Sequence, residues 1–360
     1  MASLLLHREE RSSVATNPQC EIQQVVVEVT QACNNNCLHC YNYWYPSKSP
    51  PEGSQPILTR AEILHLVKKV QRQAPLFSVA LSGGEPFLRL DLPEIVTDLT
   101  NTGLKVITIS NGTLITEERL KRMPEGSTFE ITLFSANRET HDLLAGRRAF
   151  DKVVANLTLL ARQKCNFVLA CVLTRLNLQD VTRTIELGLA LGARAVMLNR
   201  INLSRHVFAQ ADQLVPSAVQ LCDALQAADK AAAKYGITVA LSVPVPPCVA
   251  EPKNFPHLHF GWCPRGSKDA YYTIGCTGLV RPCNHSSVIL GDLRRQNFAE
   301  IVGGRKSRSF WAPIPPECVD CTHPLKASCC GGCPAAADEC LGSRSRMDPF
   351  VTIACRPGTA

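Results

Sequence analysis

The chain has 360 residues, of which 45% are hydrophobic, and a formal net charge of +7. This length fits one large domain plus a smaller one, and the charge is too modest for a nucleic-acid footprint. No apolar run is long enough for a transmembrane helix, and the N-terminal MASLLLHREE lacks the cleavage-site pattern of a secretory signal. We therefore expect a cytoplasmic protein that binds neither nucleic acid nor membrane.

Strand and helix patterns alternate over the first two-thirds of the chain. Strands are predicted at residues 22–30, 78–81, 105–110, 128–135, 167–174, 195–201 and 237–243. Helices are predicted at residues 59–73, 92–102, 150–163, 178–191 and 216–235, with a short helix from residue 116. Alternation of this kind predicts a parallel sheet with helical crossovers, and six units are too few for a closed eight-stranded barrel. The expected fold is an α/β open partial barrel.

Three cysteines stand close together just after the first predicted strand. Cys33, Cys37 and Cys40 have the spacing C-x3-C-x2-C. Three thiolates in one loop can hold three irons of a cubane 4Fe–4S cluster and leave the fourth iron open to an outside ligand. The alternative is a zinc loop, but zinc ribbons favour paired C-x2-C knuckles with a second pair downstream.

A second motif follows the second predicted strand. Ser82 is followed by Gly83, Gly84, Glu85 and Pro86. Two glycines allow the backbone to approach a ligand closely, and a carboxylate follows them. An ordinary strand-to-helix turn is the alternative, and GGEP alone is a weak signal.

Together the C-x3-C-x2-C loop and the GGEP segment resemble the radical SAM (S-adenosylmethionine) superfamily. The resemblance implies a (β/α)6 partial barrel in which the reduced cluster cleaves SAM to methionine and a 5′-deoxyadenosyl radical. It implies that GGEP binds the methionyl amino group, that His39 lies near the cofactor, and that the turns after the third and fourth strands approach the ribose and the methionyl carboxylate. Those two turns could equally be a structural turn and a helix N-cap. The SAM-contact candidates are His39, Tyr41, Gly83, Gly84, Glu85, Ser110, Asn111 and Ser135.

The last third of the chain differs in composition from the rest. Of the 18 cysteines, eleven lie from Cys248 onward, after the proline-rich stretch SVPVPP at 242–247. Disulfide-rich scaffolds are usually small and secreted, so metal ligation in a reducing compartment accounts better for these cysteines. We expect an N-terminal segment at 1–20, a core domain at 21–245 and a cysteine-rich domain at 246–360. A hairpin turning at Gly278 and a helix at 298–302 are predicted within the last.

The cysteine spacing of this tail resembles the SPASM extension of radical SAM enzymes, which carries two auxiliary 4Fe–4S clusters. The resemblance implies three clusters in all. It assigns the first auxiliary cluster to Cys263, Cys283 and Cys333, with Cys248 as the fourth ligand, and the second to Cys318, Cys321, Cys329 and Cys355. The intervals 321–329 and 333–355 are longer than in the usual pattern, so Cys340 rivals Cys355, and Cys276 rivals Cys248. A four-cysteine zinc site is the alternative.

The resemblance implies a radical SAM oxidoreductase that modifies a ribosomally made peptide or a protein side chain by crosslinking, oxidation or epimerisation. The alternatives are oxidative decarboxylation or dehydrogenation of a tetrapyrrole or other small molecule and, in another class, a non-catalytic iron–sulfur electron carrier. Expected partners are the substrate, an electron donor such as flavodoxin or ferredoxin, and a separate leader-peptide-binding protein. No residue is assigned a catalytic role, and His141 is given none.

Overall fold

The computed structural model describes residues 20–47, 49 and 55–356, so the segment expected at 1–20 lies outside the described residues except for Cys20. The strands are β1 Gln24–Thr30, β2 Ser78–Gly83, β3 Lys105–Ser110, β4 Thr128–Thr132, β5 Asn166–Leu173, β6 Ala195–Arg200, β7 Thr238–Leu241, β8 Leu258–Phe260, β9 Tyr271–Ile274, β10 Leu279–Arg281 and β11 Gly291–Asp292.

The helices of the barrel region have clear terminal signals. Thr59 and Glu62 form a capping box, and Ser217 and Gln220 form another. The helices are α1 Arg60–Gln71, α2 Leu92–Thr100, α3 Glu117–Lys121, α4 Arg138–Ala145, α5 Phe150–Arg162, α6 Val181–Ala190, α7 Arg205–Phe208, α8 Ala211–Leu214 and α9 Ala218–Tyr235. No helix in the described ranges is long and apolar enough to cross a membrane.

The described strands form one sheet in the order β11-β10-β9-β1-β2-β3-β4-β5-β6-β7-β8. From β1 to β8 every neighbouring pair is parallel and follows chain order. This topology confirms the expected α/β fold with a parallel partial barrel. The carboxyl ends of β1, β2, β3 and β4 therefore meet at one edge, where ligands of such folds gather.

The cysteine-rich tail continues the same sheet. β9 pairs in parallel with β1, and β9 and β10 form an antiparallel hairpin that turns at Gly278, as predicted. The positive φ of +87° at Gly278 suits glycine. The tail also carries more helix than the single segment expected: α10 Phe298–Val302, α11 Arg305–Trp311, α12 Lys326–Cys329, α13 Pro334–Leu341 and α14 Pro349–Ala354.

Two buried ion pairs join the tail to the barrel. Glu28 of β1 pairs with Arg281 of β10, and Arg200 of β6 pairs with Asp348, the N-cap of α14, at 2.5 Å. The Arg200 and Asp348 side chains are fully buried. Asp348 also accepts hydrogen bonds from the backbone N–H groups of Cys333 and Phe350. These contacts fix Cys333 relative to the end of a barrel strand.

Two local predictions differ from the structure. β4 ends at Thr132 and not at Ser135, because the Ser135 hydroxyl turns to Asp180, to which it donates a hydrogen bond of 2.6 Å. Helix α4 was not predicted, although Asn137 caps it and Gly146 ends it in the left-handed conformation. His141, which was given no role, is buried in α4 and accepts a hydrogen bond from the backbone N–H of Phe134.

Candidate active site

The C-x3-C-x2-C loop leaves β1 at the carboxyl edge of the sheet, and Cys33, Cys37 and Cys40 are all half-buried in it. Burial raises the pKa of the Cys37 thiol, and the neighbouring thiols of Cys40 and Cys33 raise it further, which places the three close together. The loop packs on α4, where the backbone N–H of Asn36 donates to the Ala145 carbonyl. A thiolate trio held in this way fits three irons of a cubane cluster.

The GGEP turn after β2 packs directly against this loop. The backbone N–H of Gly84 donates to Thr30, and that of Glu85 donates to Ala32. A Cβ on Gly83 would lie 2.1 Å from the Thr30 carbonyl oxygen, and one on Gly84 would lie 2.1 Å from the Ala32 carbonyl oxygen. The two glycines therefore permit close backbone contact between the GGEP turn and the cysteine loop.

Glu85 lies where it was expected, but its carboxylate faces the protein. One oxygen accepts hydrogen bonds from the Phe87 backbone and the Ser110 hydroxyl, and the other accepts one from the Asn111 backbone N–H. The side chain is fully buried, and burial raises its pKa to about 7. Both oxygens of this carboxylate therefore have protein partners, and a contact between Glu85 and the SAM amino group stays a prediction.

The polar turn after β3 and Ser135 also have protein partners. Ser110 donates to Glu85, and the Asn111 amide donates to Asn34 of the cysteine loop at 2.8 Å. Ser135 is fully buried and bonds to Asp180. The side chains of Ser110, Asn111 and Ser135 therefore position the loops, as the structural alternatives expect, and their direct contacts with SAM stay predictions.

His39 and Tyr41 face the interior of the barrel, where a cavity of about 1300 Å³, counted with its open mouth, runs along the strands. His39 packs edge-on against Phe134, and burial lowers its pKa to about 4, so the imidazole is neutral at pH 7. Small side chains, among them Ala80 and Ala170, leave the space open. The structure thus brings two of the SAM-contact candidates to one cavity inside the barrel.

Several residues that line this cavity carry polar atoms without a hydrogen-bond partner in the described part of the chain. They include His39 Nδ1, Asn202 Oδ1 and Asn284 Oδ1, all buried. A buried polar atom without a partner is costly, so a bound ligand that supplies hydrogen bonds here would be favoured. These atoms fit the presence of a polar cofactor such as SAM.

The cavity also contains charged side chains that sequence reasoning missed. Glu130 of β4 lines it without a hydrogen bond or ion pair to another described residue, and burial raises its pKa to about 7. Arg200 also lines it, but its guanidinium is committed to Asp348 and to the carbonyls of Pro244 and Ile201. A charged residue within a strand of buried apolar neighbours was the available sequence signal for both.

The tail cysteines form two groups around separate cavities. Cys263, Cys283 and Cys333 line a cavity of about 520 Å³ that shares Tyr271 and His285 with the barrel cavity. A second cavity of about 470 Å³ is lined by the thiols of Cys248, Cys318, Cys321 and Cys329.

Cys248 is therefore grouped with the second set, and not with Cys263 as expected. Cys355 is exposed, and its Sγ lies 4.0 Å from the Cys248 carbonyl oxygen. The rivals stand elsewhere: Cys276 is buried beside Glu28, and the Cys340 thiol donates to the Leu203 carbonyl.

The environment of the tail thiols fits iron–sulfur clusters. Burial raises the pKa of the Cys263, Cys283 and Cys329 thiols, and nearby backbone groups partly offset this rise. The backbone N–H of Ala336 donates to the Cys333 sulfur at 3.4 Å. The buried indole N–H of Trp311 lines the same cavity as Cys263 and Cys333 and has no hydrogen-bond partner among the described residues.

No group of three or more His, Cys, Asp or Glu side chains in the described part of the chain is spaced to hold a single metal ion. The thiolates of a cubane cluster each bind a different iron and stand further apart.

Comparison with known proteins identifies the family. Residues 27–188 match the model of the radical SAM superfamily. Residues 27–188 therefore form a radical SAM domain. This segment contains the C-x3-C-x2-C loop and the GGEP turn, and a domain of this family makes the protein an enzyme with SAM and an iron–sulfur cluster as cofactors.

Two relatives differ in how much of the radical SAM chain they cover. An AdoMet-dependent heme synthase of Methanosarcina barkeri is 28% identical over 92% of this chain and 96% of its own length. A probable GTP 3′,8-cyclase of Saccharolobus islandicus is 31% identical over 54% of this chain and 62% of its own length. The first similarity extends through the cysteine-rich tail.

Solved structures share the fold over nearly the whole chain. SuiB of Streptococcus suis bound to S-adenosylmethionine aligns with a TM-score of 0.71 at 12% identity, covering 92% of this chain and 77% of SuiB. The protein anSMEcpe with bound AdoMet aligns with a TM-score of 0.72 at 18% identity, covering 92% of this chain and 95% of anSMEcpe. SuiB has also been solved with its precursor peptide SuiA, and anSMEcpe with the Cp18Cys peptide.

Proposed function

We propose that this protein is a radical SAM oxidoreductase that removes hydrogen from a side chain of a peptide or protein. Cys33, Cys37 and Cys40 would hold the cluster that activates SAM, as their shared loop supports. When bound, the cluster and SAM supply a 5′-deoxyadenosyl radical able to abstract hydrogen from an unactivated carbon. The chain itself binds the substrate carbon beside that radical and excludes water.

The charge of the barrel cavity is the observation that favours a peptide or protein substrate over a polyanionic one. Glu130 is a carboxyl without a hydrogen bond or ion pair to another described residue, whereas the one guanidinium among the described lining residues, that of Arg200, is neutralised by Asp348. An unpaired carboxyl suits a neutral or cationic hydrogen-bond donor and repels carboxylates and phosphates. A peptide backbone with uncharged side chains meets this requirement better than a polyanion does.

A second candidate is the oxidative decarboxylation of a tetrapyrrole. Similarity to the heme synthase over 92% of this chain favours it. A tetrapyrrole that carries several carboxylates would need cations in or near the cavity. We rank it second because the described lining offers no unpaired cationic side chain.

We also propose that residues 246–360 form a SPASM domain with two auxiliary clusters, beside a radical SAM core at 21–245. The two cysteine-lined cavities and the hydrogen bond from the Ala336 backbone N–H to the Cys333 sulfur support this division. An external flavodoxin or ferredoxin would reduce the clusters, and a separate protein would present the leader of a peptide substrate.

The test is incubation of the reduced enzyme and SAM with peptides encoded beside its gene and, separately, with coproporphyrin III and its iron complex, followed by mass spectrometry. Loss of hydrogen from a peptide supports the proposal, and loss of carbon dioxide from the porphyrin would replace it with the second candidate. Cys40→Ala should abolish formation of 5′-deoxyadenosine in every reaction, while Cys165→Ala, at a half-buried cysteine away from all three cysteine groups, should not.

A further inference from the structure

The thiols of Cys263, Cys283 and Cys333 line one cavity. A cubane 4Fe–4S cluster has four irons, so these three thiols leave one iron without a cysteine ligand. All 18 cysteines lie among the described residues, and no fourth cysteine lines this cavity. Cys330 is the nearest other candidate because it interacts electrostatically with Cys263, but its thiol points to the Ala327 carbonyl at 3.0 Å. One iron of a cluster bound here needs a different ligand.

His285 is a metal-ligating side chain that lines the same cavity. It follows Cys283 by two residues, and the backbone N–H of Ser286 donates to the Cys283 carbonyl at 3.3 Å, so Cys283 and His285 belong to one tight turn. Its imidazole makes no hydrogen bond to another described residue. Histidine binds metals as the neutral imidazole.

The turn that carries His285 is fixed on both sides. The imidazole packs edge-on against the ring of Tyr41, with 4.5 Å between centroids, and the neighbouring Asn284 amide donates to the Tyr41 hydroxyl at 2.9 Å. Arg281 donates to the Ser286 carbonyl at 2.7 Å. The ring is thus held in the wall between the three-thiol cavity and the barrel cavity, with little freedom to turn into solvent.

The histidine that lines the four-thiol cavity differs in this respect. His323 lines the four-thiol cavity, but its Nε2 contacts Glu251 at 2.8 Å and its Nδ1 accepts from the backbone N–H of Leu325. Four thiols already surround that cavity, so no further ligand is needed there. His285 has the open nitrogens and the incomplete thiol set.

We propose that His285 is the fourth ligand of an auxiliary cluster held by Cys263, Cys283 and Cys333. The inference rests on the proposed auxiliary clusters. A neutral imidazole in place of a thiolate makes the cluster less negative by one charge, which raises its reduction potential. This cluster would therefore accept an electron more readily than an all-cysteine one, at the wall nearest to the barrel cavity.

The test is pulsed EPR of the reconstituted, dithionite-reduced full-length protein. We expect a nitrogen hyperfine coupling on a reduced cluster, which changes from the ¹⁴N to the ¹⁵N pattern when histidine alone is labelled with ¹⁵N. In His285→Cys the coupling should disappear, iron content should stay at the wild-type value, and the potential of that cluster should fall. In His285→Ala, added ¹⁵N-imidazole should restore a coupling.

The matched control is His323→Ala, in which the coupling should remain. A wild-type protein with full iron content and no histidine coupling would overturn the proposal, as would a coupling that survives in His285→Cys or vanishes in His323→Ala. Iron content near one cluster per chain would instead refute the auxiliary clusters themselves, so the two failures are distinguishable.

Discussion

The carboxylate of Glu85 accepts a hydrogen bond from the backbone N–H of Asn111 at 2.8 Å, which ties the turn after β2 to the turn after β3. The same carboxylate accepts from the Phe87 backbone and from Ser110. Glu85 therefore connects the turns at this edge of the sheet through hydrogen bonds to the backbone and to Ser110.

Glu85→Ala should lower the free energy of unfolding by roughly 2–5 kcal/mol, because two buried N–H groups and a hydroxyl lose their acceptor. Glu85→Gln keeps one acceptor oxygen and should lose less. Urea unfolding followed by circular dichroism measures both, and Glu117→Ala at an exposed ion pair is the control. Wild-type stability in Glu85→Ala would contradict the structural role.

The buried pair of Arg200 and Asp348 should dominate the attachment of the tail to the barrel. Asp348→Ala leaves a buried guanidinium without its carboxylate, so we expect a loss of about 3–5 kcal/mol in the free energy of unfolding. Asp151→Ala, which breaks the exposed pair with Arg138, should cost less than about 1 kcal/mol. Equal losses in the two variants would show that the buried pair does not hold the tail.

Glu130 should make stability depend on pH. Its pKa is raised from 4.5 to about 7 by burial, so between these values the folded chain keeps a proton that the unfolded chain has lost. The free energy of unfolding therefore falls as pH rises through this window. Glu130→Gln lacks this contribution, and its stability relative to wild type should rise by roughly 2–3 kcal/mol from pH 4.5 to pH 7.5.

Denaturant titrations of both proteins across this range measure the difference. The lowered pKa of His39 makes the free energy of unfolding rise with pH, in the opposite direction to Glu130. Because His39 is present in both proteins, its contribution cancels in the difference between them. A difference that does not change with pH would mean that Glu130 is ionised in the fold.

The parallel sheet and the two SAM motifs could be predicted from the sequence because they depend on local patterns. Buried runs of β-branched residues define the strands. Gly83 and Gly84 predict a turn after β2, whatever that turn packs against. The role of Glu85 could not be predicted, since a carboxylate after two glycines can face a ligand or a neighbouring backbone. The choice depends on Asn111, 26 residues away, and on the register of β2 against β3.

The tail was harder to predict because cysteine spacing does not fix the path of the chain in space. Cys248 directly follows the prolines that line the four-thiol cavity, and their turn directs it to Cys318 and Cys329. Glu130 and His285 reach the barrel cavity from β4 and from the turn after β10. Their proximity to the same space follows from the sheet order, which becomes evident only when β9 is seen to pair with β1.

Cysteine substitution should distinguish Cys248 from Cys355 as the ligand that completes the four-thiol group. The reconstituted protein should hold about 12 irons in three cubane clusters, and Ala at Cys33, Cys37 and Cys40 together should leave about 8. Cys248→Ser should also leave about 8, because its thiol lines the cavity with Cys318. Cys355→Ser should keep about 12, since that thiol is exposed beside the Cys248 backbone.

Iron and sulfide assays measure each protein. Loss of a cluster in Cys355→Ser but not in Cys248→Ser would restore the assignment expected from spacing. Iron near 4 with stoichiometric zinc would establish the zinc alternative for the tail.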